Sequence, residues 1–190
     1  MIQAEVGGAA RIDPGTGLQR PGHMIRDFEL PSSTGGRVRI SNFRGRRNLF
    51  LVFPAHSDAM RAVVEEASKR SSEFAAQEAV IIAVLPEARS EAETSVANHA
   101  AMSHSAANPD THVVVLHDDS LSAYRLSGGV DRHGELIPLL YLTDRFGEIA
   151  SAYSAQSEAA PPAIDEILRT LDFLNQQCPE CEPPEWPMAS

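Results

Sequence analysis

Cys178 and Cys181 are the only two thiols in 190 residues, and they stand three apart near the C-terminal end. A Cys-x-x-Cys spacing can close a disulfide, supply half of a zinc site or remain a dithiol. The setting disfavours a fast nucleophile. The pair follows the end of an expected helix, where the dipole is negative, and Glu180, Glu182 and Glu185 add like charge. Both effects work against thiolate. The same segment carries the single tryptophan, Trp186, and Pro179, Pro183, Pro184 and Pro187. Those prolines exclude a regular helix and favour extended backbone. Residues 178–187 are therefore expected to dock on a surface of this chain or a partner, with Trp186 as the anchor.

His56-Ser57-Asp58 has the residue types of a hydrolytic triad. Sequence neighbours rarely point at one another, and a triad is defined by geometry. The simpler reading makes Ser57 or Asp58 a helix N-cap. The other histidines are His23, His99, His104, His112, His117 and His133. His99 and His104 are five apart, on different helical faces, so they make no i, i+4 metal clamp. Surface or loop positions suit these histidines better. Arg37, Arg39, Arg44, Arg46 and Arg47 form a basic cluster. It suits an anionic ligand or the acidic tail, but a solvated edge-strand face is the commoner use.

These residues need a scaffold, and the sequence supplies one. Apolar runs at Asn48–Phe53, Ala79–Leu85 and His112–Leu116 predict buried strands. Met60, Val63, Val64, Ala67 and Phe74 mark one stripe of a helix from about Ser57 to Gln77. Glu87 to Ala107 and Asp119–Leu126 predict further helices. Leu139–Thr143, Asp144–Gly147 and Glu148–Tyr153 read as a β-hairpin, and Ile164, Ile167, Leu168, Leu171 and Leu174 mark a final helix after Pro161 and Pro162. Arg37–Ser41 alternates as an edge strand should. Strands alternating with helices imply parallel βαβ units in an α/β domain.

Composition bounds the function. Sixteen basic against 26 acidic side chains give a formal net charge of −10, which repels phosphate and argues against nucleic acid and anionic lipid. No apolar stretch is long enough to span a membrane. Two cysteines and no apolar leader in the first residues point to a reducing, cytoplasmic setting. Residues 1–22 read as a Gly/Pro-rich arm, 23–177 as one domain and 178–190 as a tail.

The run Arg26-Asp27-Phe28-Glu29-Leu30, then Gly36, Val38 and Ile40-Ser41-Asn42-Phe43-Arg44-Gly45, resembles the opening of thioredoxin-fold redoxins, which include peroxiredoxins of the AhpC/TSA type and thiol-disulfide oxidoreductases. Asn48–Phe53 with Pro54-Ala55 resembles the strand that delivers their active-site loop. Ile137-Pro138, the apolar run to Thr143, Asp144, Gly147 and Ile149 resemble a later segment. The resemblance covers roughly residues 22–176. It implies a thioredoxin-like fold, a central mixed sheet flanked by helices, with an N-terminal β extension and a Pro-rich C-terminal tail. It implies a cis bond before Pro138, facing residues 56–61. It also places Asp58 and Arg61 at the two cysteines of the thiol-disulfide register, and Asp58 at the threonine and Arg61 at the peroxidatic cysteine of the peroxiredoxin register. Neither side chain attacks a peroxide or disulfide as a thiolate does.

Three readings follow. The first is an antioxidant or thiol-disulfide protein by resemblance, with residual electron transfer through Cys178 and Cys181. The second is a non-catalytic binding module on the same fold. The third is a CxxC metal site, perhaps shared between two chains. No cofactor is expected; a protein or small-molecule partner is, without further identity, and the resemblance suggests a homodimer.

Overall fold

The computed structural model describes residues 17–86, 112–157 and 160–176. Strands β1 (Glu29–Pro31) and β2 (Arg37–Arg39) pair antiparallel as a small N-terminal extension. A 3-10 turn at Ile40–Phe43 leads to β3 (Asn48–Phe53), then α1 (Asp58–Lys69), α2 (Ser71–Ala76) and β4 (Ala79–Pro86). After these come β5 (Val113–Asp118), α3 (Ser122–Ser127), β6 (Leu139–Thr143), β7 (Ile149–Ser154) and α4 (Ile164–Gln176).

The main sheet has the order β5-β4-β3-β6-β7. β3, β4 and β5 are parallel, while β6 and β7 run antiparallel. β3 and β4 are buried along their whole lengths because both faces of the sheet are covered. Side chains alternate across the pleat. Phe50, Val52, Ile81 and Ala83 face α1, α2 and α4, meeting Met60, Val64, Phe74, Ile164 and Leu171. Leu49, Leu51, Phe53, Ile82 and Val84 face the other way, toward Tyr124 of α3, Tyr141 and Ile25. The outer edge of β5 is covered by the turn after β1, where the Ser33 N–H donates to the Val115 carbonyl.

The strands and helices expected within the described residues are present, though the edge strand expected over Arg37–Ser41 ends at Arg39 where the 3-10 turn begins, and one helix is broken. The stretch from Ser57 to Gln77 is two helices, parted at Arg70, whose φ is −103° and ψ 22°. The break folds Phe74 onto Phe50, with ring centroids 5.3 Å apart. The Arg70 guanidinium holds it by reaching Glu73 and Asp165, each at 2.7 Å. These carboxylates hold the Arg70 pKa above its usual value, the Glu73 hydrogen bond contributing most. The expected helix from Glu87 to Ala107 lies outside the described residues, as do His99 and His104.

The Ile137–Pro138 bond departs from the expectation drawn from the resemblance. It is trans; among the described residues no peptide bond is cis. Its surroundings are extended on both sides. Val130 and Leu136 form an antiparallel bridge, Ile137 N–H donates to the Gly129 carbonyl at 2.9 Å, and the Pro138 carbonyl accepts from Ala155 N–H at 3.1 Å. Pro138 thus stands immediately before β6, at the mouth of the strand, a position proline tolerates because it needs no donor there.

No helix among the described residues is long and apolar enough to cross a membrane.

Candidate functional site

The site is the turn that carries the chain from the C-terminal end of β3 into α1. Phe53 ends the strand and Pro54 and Ala55 are buried. Ala55 adopts φ +50°, a left-handed conformation that costs a non-glycine residue free energy and needs support from its surroundings. The support is a side chain. The Tyr124 hydroxyl accepts the Ala55 N–H at 2.9 Å and donates to the Val84 carbonyl at 3.1 Å. The Ser57 N–H then donates to the Pro54 carbonyl at 3.0 Å, closing the turn.

Ser57 is the N-cap of α1. Its backbone is extended, and its hydroxyl accepts from the Met60 N–H at 3.3 Å. This is the role that competed with a hydrolytic triad, and the geometry decides it. His56 is exposed, and it makes no hydrogen bond to Ser57 or Asp58 through its ring among the described residues. The Asp58 carboxylate accepts from Arg61 Nη2 at 2.7 Å, three residues on along the helix. Arg61 also donates to the His56 carbonyl at 3.4 Å. The Asp58 side chain is 96% exposed and that of Arg61 22%, so the pair lies at the surface with the guanidinium stem packed down.

The turn is positioned by an aromatic group beneath it. The Phe53 ring meets Tyr124 edge-on at 5.1 Å, Tyr141 at 6.4 Å and Phe28 at 6.1 Å. Tyr124 is placed by α3, whose first turn is capped from β5. The buried Asp118 carboxylate accepts from the Ser122 and Tyr124 N–H groups at 2.9 Å each. Pro138 stands at the same end of the sheet as the turn, since Leu139 pairs with Phe53 in the antiparallel register. Neither Tyr124 nor Asp118 was among the residues the sequence singled out. Their only signals were a tyrosine in a short helical segment and an Asp shortly before it.

His117 lies within β5 rather than on a loop, and three of the candidate arginines have structural roles. Arg37 and Arg39 both grip Glu29, at 2.7 and 2.9 Å, and Arg39 lies 3.6 Å from Asp27. The two guanidiniums hold the Glu29 carboxyl below its usual range, the Arg37 hydrogen bond foremost. Arg44 donates to the Ile25 carbonyl at 3.2 Å. Arg37 and Arg39 thus line the solvated edge face of β1 and β2, while Arg44, Arg46 and Arg47 lie between the 3-10 turn and β3. No group of three or more His, Cys, Asp or Glu side chains among the described residues is arranged to hold a metal. Cys178, Cys181 and Trp186 lie outside the described residues.

Solved structures share this architecture. The reduced 2-Cys peroxiredoxin of Plasmodium vivax is 15% identical, covers 82% of this chain and 81% of its own, and superposes with a TM-score of 0.62. AhpC of Mycobacterium tuberculosis is 17% identical, with 84% and 94% covered and a TM-score of 0.61. The exposed lipoprotein thioredoxin of Streptococcus pneumoniae is 19% identical, with 78% and 99% covered and a TM-score of 0.52. At these identities the likeness establishes a thioredoxin-like fold. No curated protein matches the chain. The sequence profile of the AhpC/TSA family, however, matches residues 21–179. That span runs from just before β1 to beyond α4 and includes the β3–α1 turn, so the chain belongs to the AhpC/TSA family.

Proposed function

We propose that this protein is a redoxin whose β3–α1 turn carries no thiol chemistry. Any thiol-disulfide exchange it performs runs through Cys178 and Cys181. The observation that carries the reading is the Asp58–Arg61 pair at 2.7 Å on the first turn of α1, in a chain with no cysteine before residue 178. By resemblance Arg61 takes a reactive-cysteine position in both of the family's registers, and Asp58 takes the other cysteine in the thiol-disulfide one and the threonine in the peroxiredoxin one. An aspartate and an arginine paired there neutralise one another and offer no nucleophile for a peroxide O–O bond. In this reading Pro138 flanks a turn that is structural.

At the tail, oxidation of the two thiols to a disulfide would release two electrons and two protons to a disulfide acceptor. The neighbouring glutamates and the negative end of α4 make that exchange slow. The partner is a protein or small molecule that remains to be identified, the setting is cytoplasmic, and two copies assemble as a homodimer.

The test is a disulfide-exchange assay with a small aromatic disulfide, on the whole protein and on Cys178→Ser/Cys181→Ser. The reading expects slow exchange in the first and none in the second. Stoichiometric zinc lost on Cys181→Ser would replace it with the metal-site reading.

A further inference from the structure

Two buried tyrosines make the same pair of bonds at the two ends of α3. Tyr124 accepts from the Ala55 N–H and donates to the Val84 carbonyl. Tyr141 accepts from the Gln19 N–H at 3.2 Å and donates to the Ser127 carbonyl at 2.6 Å. Both rings stand edge-on to Phe53, the last residue before the turn.

Gln19 belongs to a strap, residues 17–26, laid across the C-terminal end of α3. Gln19 is buried, and its side-chain carbonyl accepts from the Arg26 N–H at 2.9 Å. Arg26 Nη1 donates to the Leu126 carbonyl at 2.9 Å. Gly128, the C-cap of α3 at φ +81°, lies so close to the strap that a Cβ there would stand 2.5 Å from the Gly17 backbone. The strap is fastened beyond α3 as well, through the Gly22 N–H to the Ile149 carbonyl and the Ile25 N–H to the Gly147 carbonyl, both at 2.8 Å.

A six-residue helix does not persist by its own hydrogen bonds, because nucleation outweighs so few propagated turns. Its last carbonyls have no partners within the helix. In α3 two of these, Leu126 and Ser127, are taken by Arg26 and by Tyr141, and the same Tyr141 hydroxyl holds the strap. Lifting the strap therefore removes Arg26 from one carbonyl and loosens Tyr141 on the next. Tyr124 stands on the first turn, capped by Asp118, but its carbonyl accepts from the Gly129 N–H at 2.7 Å, which ties it to the end that would fray. We propose that α3 couples the N-terminal strap to the β3–α1 turn. A partner that peels residues 17–26 away frees the Ala55 amide, about which the turn is folded. The coupling holds whether or not the turn or the tail carries chemistry.

Hydrogen exchange followed by NMR on the full chain tests this directly. Arg26→Ala removes an exposed guanidinium and leaves its backbone bond to Gln19 in place. Tyr141→Phe removes the shared hydroxyl. Tyr124→Phe serves as the reference for a turn that has lost its anchor. The Ala55 amide should exchange up to about tenfold faster in Arg26→Ala and in Tyr141→Phe, approaching the Tyr124→Phe rate, while the Ile82 amide in the sheet centre is unchanged. A wild-type Ala55 rate in Arg26→Ala, with Gln19 exchanging faster, would overturn the coupling. If Tyr141→Phe also exposes Ile82, the fold itself is weakened and Arg26→Ala alone decides.

Discussion

The Tyr124 hydroxyl holds the Ala55 amide at 2.9 Å, across 69 residues of sequence, and so fixes the backbone at the entrance to α1. Ala55 has a positive φ, and the tyrosine supplies the acceptor that its buried N–H needs in that conformation. Tyr124→Phe leaves that buried donor without its acceptor. The expected loss is about 1–3 kcal/mol, measured by urea unfolding. A loss below a few tenths would mean that solvent reaches the turn.

Ser57→Ala tests the start of α1 separately. Its hydroxyl satisfies the Met60 N–H, and losing a cap of this kind costs about 1 kcal/mol. Ser57→Asp should retain most of the stability, because an aspartate caps as well and favours the positive helix end. A hydrolytic role would instead give an ester hydrolysis rate abolished by Ser57→Ala, and we expect no such rate.

The Asp58–Arg61 pair should couple weakly. Asp58 is almost fully exposed, so water and salt screen the attraction. A double-mutant cycle with Asp58→Ala and Arg61→Ala should give about 0–1 kcal/mol, decreasing with added salt. A larger, salt-independent coupling would show that the pair supports the turn more deeply than its exposure suggests.

Burial pushes the Tyr141 phenol well above its ordinary value of about 10, against a smaller opposing effect from the Gln19 N–H. A raised acid pKa means that the folded state keeps its proton where the unfolded chain loses it. The stabilisation is complete below pH of about 10 and declines as pH rises beyond that. In alkaline titration followed by tyrosinate absorbance, Tyr141 should ionise only with unfolding. Tyr141→Phe should flatten the alkaline decline in stability.

The scaffold was readable where local pattern decides structure. Asn48–Phe53 and Ala79–Leu85 are apolar throughout because both sheet faces are covered, and that pattern needs no long-range information. The break at Arg70 was hidden because one of the two carboxylates that hold it, Asp165, lies 95 residues away. Tyr124 and Tyr141 were missed for the same reason, since each bonds to backbone from distant segments, and a core tyrosine reads simply as bulk. Pro138 shows the opposite case. Its place at the strand mouth was legible, but the isomer follows from the strands that flank it. Ser57 was separable from a triad by its position before a helical stripe.

Peroxide consumption by the Cys178→Ser/Cys181→Ser variant is the most direct test of the central claim that the β3–α1 turn is chemically silent. With thioredoxin-type or dithiol reductants supplied, the rate should equal that of a control without protein. Turnover above that control would contradict the account and place peroxide chemistry on a residue other than cysteine.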